Sequence, residues 1–219
     1  KLCFNVSKCS VISFTRSRSP ICYEYKAEAT PIKRVTHLRD LGIHLTPELT
    51  FREHIINICK KAFRNLGFVL RQSQGFTKIT TVGVLYDALV RSRLEYGSVI
   101  WASHEAKYSL MLERVQNKFT RHLYWRLYGV YPLYPLMCST LFVLGMVVYN
   151  QLKVRREFAL IVYLIKLHRG KDHNPGLLRC LSFCVPDRYV WRRWRPPLLS
   201  VPTVRTNLLA KTPLTRAKN

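Results

Sequence analysis

Residues 50–71, TFREHIINICKKAFRNLGFVLR, carry the strongest structural signal in the chain. Their apolar side chains recur at helical spacing, at Phe51, Ile55, Ile58, Ala62 and Leu66. Thr50 is a suitable N-cap, and Glu53 three residues later completes a capping box. The basic residues fall on the opposite side of this predicted helix, at Lys60, Arg64 and Arg71. One face is therefore expected to be core and the other cationic.

Three further stretches have a helical period. Residues 78–92 are apolar at helical spacing, and residues 107–124 repeat the design of the first helix. The cationic side of this repeat carries Lys107, Arg114, Lys118 and Arg121. A fourth helix is expected at residues 151–169, packed on the apolar segment before it.

The N-terminal part predicts strands instead. CSVISF, ICYEYK, IKRVT and LRDLGIHL, within residues 9–45, are rich in β-branched and aromatic residues, and a break at residues 18–20 suggests a hairpin. We therefore expect an α+β fold, with a small antiparallel β region followed by a mainly helical remainder. The expected divisions are a β region, a helical domain, a helical C-terminal region and a Pro-rich basic tail, at residues 1–48, 49–130, 131–185 and 186–219.

The charge balance is extreme: 36 Lys and Arg oppose 12 Asp and Glu, for a net charge of +24. Such a field attracts polyanions, so nucleic acid is the first partner to consider and an anionic membrane surface the second. Each cationic helix face, taken alone, is equally well an ordinary solvated face. The near absence of acids on both argues against that alternative, because solvated faces normally mix both signs.

The tail holds an aromatic and basic cluster, WRRWR, with Arg192, Arg193 and Arg195. Arg and Trp together suit stacking on bases and binding to phosphates. The same residues could instead cover the helical region as a wrapping segment.

Seven cysteines, an odd number at irregular spacing, favour a reducing intracellular compartment, nuclear or cytoplasmic, and not a secreted protein. His168, His173, Cys180 and Cys184 match no common zinc spacing, so buried thiols are expected rather than a metal site. The most apolar stretch, residues 131–150, has only about 14 residues after its second proline, against the roughly 20 that a membrane span needs. It is expected to be a buried helix.

Few groups suited to catalysis are present. No two of the twelve acids are adjacent or separated by one residue, and no phosphate-binding glycine loop, nucleophile elbow or zinc-protease motif occurs. The lone histidines, His54 among them, are interpreted as surface or capping groups. The residues alone thus indicate a binding surface without a reaction centre.

Several segments, in order, resemble one family. They are Asn5-x-x-Lys8 followed by VISFTR, then IKRVTHLRDLGIHLTPELTFREHI, LYDALVRSRLEYGSVIW, LERVQNKFTRHL, and later KDHNP and TNLLAKTPLTRAKN. Together they are similar to the region that follows the catalytic motif in reverse transcriptases of non-LTR retrotransposons, the jockey-like group above all.

The resemblance implies a role for each part. Lys8 would lie near the phosphates of the incoming nucleotide, Leu41 and Gly42 would centre the primer-grip hairpin, and the helices would form the thumb. Lys60, Arg64, Lys118 and Arg121 would contact the phosphates of RNA and DNA.

In that family the catalytic aspartates and their Mg²⁺ belong to the palm, upstream of the Asn-x-x-Lys segment. The expectation is therefore an RNA-directed DNA polymerase fragment with no cofactor of its own, inactive alone and able to partner the rest of a reverse transcriptase. The alternative is a small basic nucleic-acid-binding or scaffold protein without a polymerase role.

Overall fold

The computed structural model describes residues 5–15, 17, 19, 21–27, 29–102, 105–132, 139–182, 184, 199, 200 and 215. Helices dominate these residues, and the strands are two or three residues long. The protein is therefore a mixed α+β chain, as the sequence predicts.

The helices follow one another closely from residue 52 onwards. Their bounds are α1 Arg52–Gln72, α2 Ile79–Tyr86, α3 Ser92–Glu95, α4 Ser98–Trp101, α5 Ala106–Tyr128, α6 Thr140–Met146, α7 Leu152–His168 and α8 Pro175–Leu178. A turn of π-helix, Asp87–Arg91, joins α2 to α3. The predicted helix at residues 78–92 is thus present, with a π-helical turn that the sequence did not predict.

The strands pair in three separate two-stranded sheets. Their bounds are β1 Ser10–Val11, β2 Lys26–Ala27, β3 Thr30–Pro31, β4 Lys33–Arg34, β5 Leu38–Asp40 and β6 Ile43–Leu45. β2 pairs with β3 and β5 with β6, both antiparallel, whereas β1 pairs with β4 in parallel.

Of the expected hairpin turn at residues 18–20, residues 18 and 20 lie outside the described residues, but the two segments predicted to flank it do not pair with each other. Residues 21–25 form no strand, and β1 finds its partner more than twenty residues along the chain. β-branched composition marks a segment that can be extended, but it does not select the partner. The expectation of an antiparallel β region fails for the β1–β4 pair for the same reason.

The start of α1 differs from the predicted capping box. Phe51, not Thr50, is the N-cap, with a left-handed φ of 54° and no capping hydrogen bond from its side chain. The Glu53 carboxylate instead lies 3.2 Å from the imidazole of His37. The left-handed residue turns the chain immediately before the helix, so Thr50 lies one position too early to cap it.

Helices α1 and α5 run parallel, side by side. At their N-terminal ends the Arg52 guanidinium contacts the Glu105 carboxylate at 3.2 Å. At their C-terminal ends Arg126 donates hydrogen bonds to the backbone carbonyls of Ser73, at 2.7 Å, and Phe76. Because the N-terminal ends contact each other and the C-terminal ends contact each other, the two helices point in the same direction. The segment between them therefore returns the chain to the N-terminal end of α1 before α5 begins.

Aromatic rings fill the core above this pair. Tyr86 of α2 stacks on Phe119 of α5 with the ring centroids 3.8 Å apart, and Tyr149 meets both edge-on. The same apolar cluster extends from Ile43 in β6 to Leu152 at the start of α7. Burial of each such side chain contributes about 2–3 kcal/mol, which makes this cluster the main stabilising element.

The two later helices depart from their predicted surroundings. α6 buries Val143 and Leu144 but exposes Leu141 and Phe142, so it is a helix packed on one side and not the fully buried one expected. α7 has α4 and α5 as its main neighbours, rather than the apolar segment that precedes it. A helix of seven residues offers too little surface to cover one of seventeen.

Candidate nucleic-acid interface

A basic stripe runs along the outer side of α1. Lys60, Arg64 and Arg71 are all exposed, at spacings that place them on one side of a helix. The opposite side is fully buried at Ile55 and Leu66. The structure therefore places these three predicted residues on the cationic face that the sequence indicates.

A second basic stripe runs along α5. Lys107, Arg114 and Lys118 are exposed, and Arg121 is half-buried. One turn further, Trp125 continues the same line with 45% of its surface exposed. The second set of predicted residues thus shares one helix face as well.

The two stripes face the same side of the protein. Arg52 marks the side of α1 that faces α5. Viewed from the N-terminus of α1, the stripe is rotated clockwise from that side by roughly a quarter turn. On α5, it lies roughly a quarter turn counter-clockwise from the side that carries Arg126 and meets α1. Because the helices are parallel and neighbouring, these opposite rotations point both stripes in one direction.

The acids of this region are engaged elsewhere. Glu113 of α5 accepts hydrogen bonds from the first backbone amides of α7, at 3.2 Å from Leu152 and 2.7 Å from Lys153. Glu95 pairs with Arg155, and Asp87 with Arg91 at 2.8 Å. Among the described residues, no carboxylate forms an ion pair with the six exposed stripe cations, which are Lys60, Arg64, Arg71, Lys107, Arg114 and Lys118.

The hairpin predicted at Leu41 and Gly42 is present between β5 and β6. Both turn residues have positive φ, 44° and 85°, as a tight two-residue hairpin turn requires. The Tyr96 hydroxyl donates a hydrogen bond to the Leu41 carbonyl at 3.0 Å, and the Leu41 side chain is 80% exposed. The tip is thus held rigidly and presented to solvent, while its role as a primer grip stays a prediction.

A cleft of about 430 Å³ beside this hairpin was missed by sequence reasoning. Three cations from separate elements line it: Arg39 of β5, Lys61 of α1 and Arg93 of α3. Only their convergence in three dimensions makes them a group, so no local pattern could have found them.

His54, in the wall of this cleft, is 2% exposed, so the interpretation of it as a surface or capping group is wrong. Its Nδ1 accepts a hydrogen bond from the His44 amide at 3.3 Å, and its buried Nε2 has no partner among the described residues. Burial first, then the charges of His44 and Lys61, lower the pKa of His54 to about 4. The ring is therefore neutral near pH 7.

The remaining predicted site residues are more isolated. Lys8 ends a short 3₁₀ turn, Val6–Lys8, which the Asn5 side chain caps, and it is exposed. Arg192, Arg193 and Arg195 lie outside the described residues. The described part of the interface thus consists of the two helical stripes and the hairpin.

The cysteines only partly follow the prediction of buried thiols. Cys59 is buried, and this burial raises its pKa to about 11, so the thiol is un-ionised at neutral pH. Cys180 is exposed and Cys184 half-buried, which contradicts the expectation for that pair, because α8 and the turn after it are too short to cover them.

The described residues contain neither a metal-binding cluster nor a membrane-spanning helix. They contain no group of three or more His, Cys, Asp or Glu side chains placed to hold a metal ion. Within the same ranges, every helix falls short of the length and apolarity that crossing a membrane requires.

Comparison with known proteins gives no relative: no protein-family model, curated protein or solved structure matches the chain. The resemblance to reverse transcriptases therefore depends on the ordered sequence segments alone.

Proposed function

We propose that the α1 and α5 stripes bind the sugar-phosphate backbone of a primer-template nucleic acid, as the thumb part of a non-LTR retrotransposon reverse transcriptase. The observation that carries this proposal is the pair of basic stripes, on parallel neighbouring helices, that face one side. Six of their cations form no ion pair with a carboxylate of the described residues, namely Lys60, Arg64, Arg71, Lys107, Arg114 and Lys118. The ordered sequence resemblance supplies the polymerase context.

The dimensions of the surface suit a nucleic-acid backbone. At 1.5 Å per residue, the stripes extend about 16 Å along α1 and about 21 Å along α5. Packed helices lie about 8–10 Å apart, so the surface is long and narrow. About 20 Å of duplex axis carries about 12 phosphate charges on its two strands, and the roughly half that face the protein are similar in number to the stripe cations.

The electrostatics favour a polyanion over simple solvation. Six neighbouring cations that have no ion-pair partner in the described part of the chain repel one another, and a net charge of +24 adds a long-range field of the same sign. Bound phosphates would remove this repulsion and release their counterions. Binding should therefore be strong at low salt and steeply weakened by added salt.

The test is a salt titration of affinity for an RNA-DNA duplex. The variant carries Lys60→Glu, Arg64→Glu, Lys118→Glu and Arg121→Glu. We expect a large loss of affinity and a shallower dependence of log K on log salt, by about 0.9 for each contact removed.

A matched control reverses four exposed lysines away from the stripes, through Lys26→Glu, Lys33→Glu, Lys78→Glu and Lys171→Glu. Both variants have the same net charge, so the control isolates position from total charge. Equal losses in the two variants, or an unchanged salt slope in the stripe variant, would show that the stripes are not the binding surface.

A further inference from the structure

A second cleft, of about 570 Å³, lies between α5 and the start of α6 and opens on the α5 stripe. Its volume falls within the range of small-molecule sites, roughly 300–1,000 Å³. The walls combine cations, an amide, a hydroxyl and an aromatic ring, namely Arg114, Lys118, Arg121, Asn117, Thr140 and Tyr131. No role assigned to the stripes uses the last three of these.

The end of α5 brings the aromatic ring to this cleft. Gly129 adopts a left-handed φ of 71° and donates its amide to the Trp125 carbonyl at 2.8 Å, which closes the helix. The chain turns there, and Tyr131 follows two residues later as part of the cleft wall, with 52% of its surface exposed. The Tyr131 side chain is thus exposed beside the cationic stripe.

Among the described residues of the wall, the carboxylate is that of Glu113, and its neighbours offset its charge. Glu113 accepts two backbone hydrogen bonds at the start of α7 and lies 3.9 Å from the Arg156 guanidinium. It therefore does not oppose an anionic ligand in the cleft as strongly as a free carboxylate would.

We propose that this cleft binds one unpaired nucleotide of the nucleic acid that lies on the stripes. Tyr131 stacks on the base, and Arg114 and Lys118 contact the flanking phosphates. The inference rests on the proposed backbone binding and deepens it, because it makes a junction of paired and unpaired strand the preferred ligand. Stacking of a base on an aromatic side chain is tolerant of sequence, so every base is accepted.

The experiment compares two ligands that carry the same number of phosphates, a blunt duplex and a duplex with a single-nucleotide overhang. The overhang carries the fluorescent base 2-aminopurine, whose emission is quenched on stacking. We expect the protein to bind the overhang duplex roughly 5- to 150-fold more tightly, which corresponds to one stacked base, with quenching on binding.

One variant and one control identify the cleft as the cause. Tyr131→Ala should abolish both the preference and the quenching while leaving the affinity and salt slope for the blunt duplex unchanged. Tyr131→Phe keeps the ring and should retain both. Far-UV circular dichroism checks that each variant is folded.

The outcomes separate the two proposals. Equal affinity of the wild type for both duplexes, or a preference that survives Tyr131→Ala in a folded protein, would overturn the cleft inference. A steep salt slope on the blunt duplex would still support the stripes in that case. Affinity that does not depend on salt for either ligand would overturn the stripes and the cleft together.

Discussion

At the scale of single residues, the turn at Leu41 and Gly42 shows what sequence reasoning can and cannot reach. Gly42 at φ 85° is an ordinary occupant of a left-handed position, but the hairpin was expected from the family resemblance and not from this glycine. The residues alone indicated a single strand, LRDLGIHL. Leu41 at φ 44° was not predictable, because a leucine there costs roughly 1–2 kcal/mol of backbone strain. Because the Leu41 side chain is exposed, its burial does not offset this strain, and the residue lowers local stability.

His54 supports a prediction about pH. Its folded-state pKa of about 4 lies below the ordinary value of 6.5, so the unfolded chain takes up the proton first as pH falls. Stability should therefore be fully present above pH 6.5 and lost progressively as pH falls to 4. The loss from this group is about 2–3 kcal/mol, measured by urea unfolding across that window.

The comparison that isolates this effect uses His54→Asn, in which the amide oxygen can still accept from the His44 backbone. This variant should show a flatter pH profile than the wild type, while His173→Asn at an exposed site should show the wild-type profile. Identical profiles for all three proteins would mean that His54 does not cause the pH dependence.

At the scale of elements, helices were predictable and strand pairing was not. α1, α5 and α7 lie within two to four residues of their expected bounds, since each repeats apolar side chains over several turns. The strands have no comparable local sequence pattern that identifies their partners. β1, for example, pairs with β4 through contacts between residues that are distant in the sequence. The π-helical turn also escaped prediction. Its Leu89 carbonyl accepts a hydrogen bond from the Asn65 amide of α1 at 2.8 Å, a contact between distant residues that no local pattern reveals.

Arg126 couples two elements and supports a prediction about stability. Its guanidinium binds the carbonyls of Ser73 and Phe76, beyond the C-terminal end of α1, from the last turn of α5. Arg126→Met should lower the free energy of unfolding by about 1–3 kcal/mol, because carbonyls that are partly shielded from water lose a charged donor. Urea denaturation measures the change.

The matched control is Arg64→Met, which removes an exposed arginine of α1 that has no partner among the described residues. It should change stability by no more than about 0.5 kcal/mol. A similar loss in both variants would indicate that the Arg126 hydrogen bonds do not hold the helices together.

At the scale of the whole molecule, excess positive charge should limit stability in dilute salt. The described ion pairs, such as Arg52 with Glu105, are few and most are partly exposed to solvent, so they offset little of a net charge of +24. The melting temperature should rise as salt increases from about 0.05 to 0.5 M, because screening reduces self-repulsion. It should also rise with added nucleic acid at low salt, by mass action.

Circular dichroism melts provide this measurement, with the stripe variant as the comparison. Reversing four stripe charges should raise the melting temperature at low salt and reduce its dependence on salt. A melting temperature that falls with added salt in the wild type would show that ion pairs outweigh repulsion.

The candidate surface was predictable in its parts and not as a whole. Periodicity placed Lys60 and Arg64 on one helix face, and Arg114 and Lys118 on another, from sequence alone. That the two faces point the same way depends on the parallel packing of α1 and α5, which depends in turn on contacts such as Arg126 with Ser73. Both clefts escaped prediction for the same reason.

The parallel arrangement of α1 and α5 also has a consequence for folding. Their matched contacts, Arg52 with Glu105 and Ser73 with Arg126, each join residues 53 positions apart. Closing a loop of that size makes docking of this pair slow relative to two helices joined by a tight turn. During synthesis, the emerging chain would carry one stripe alone until α5 is complete, so tight binding would be acquired late.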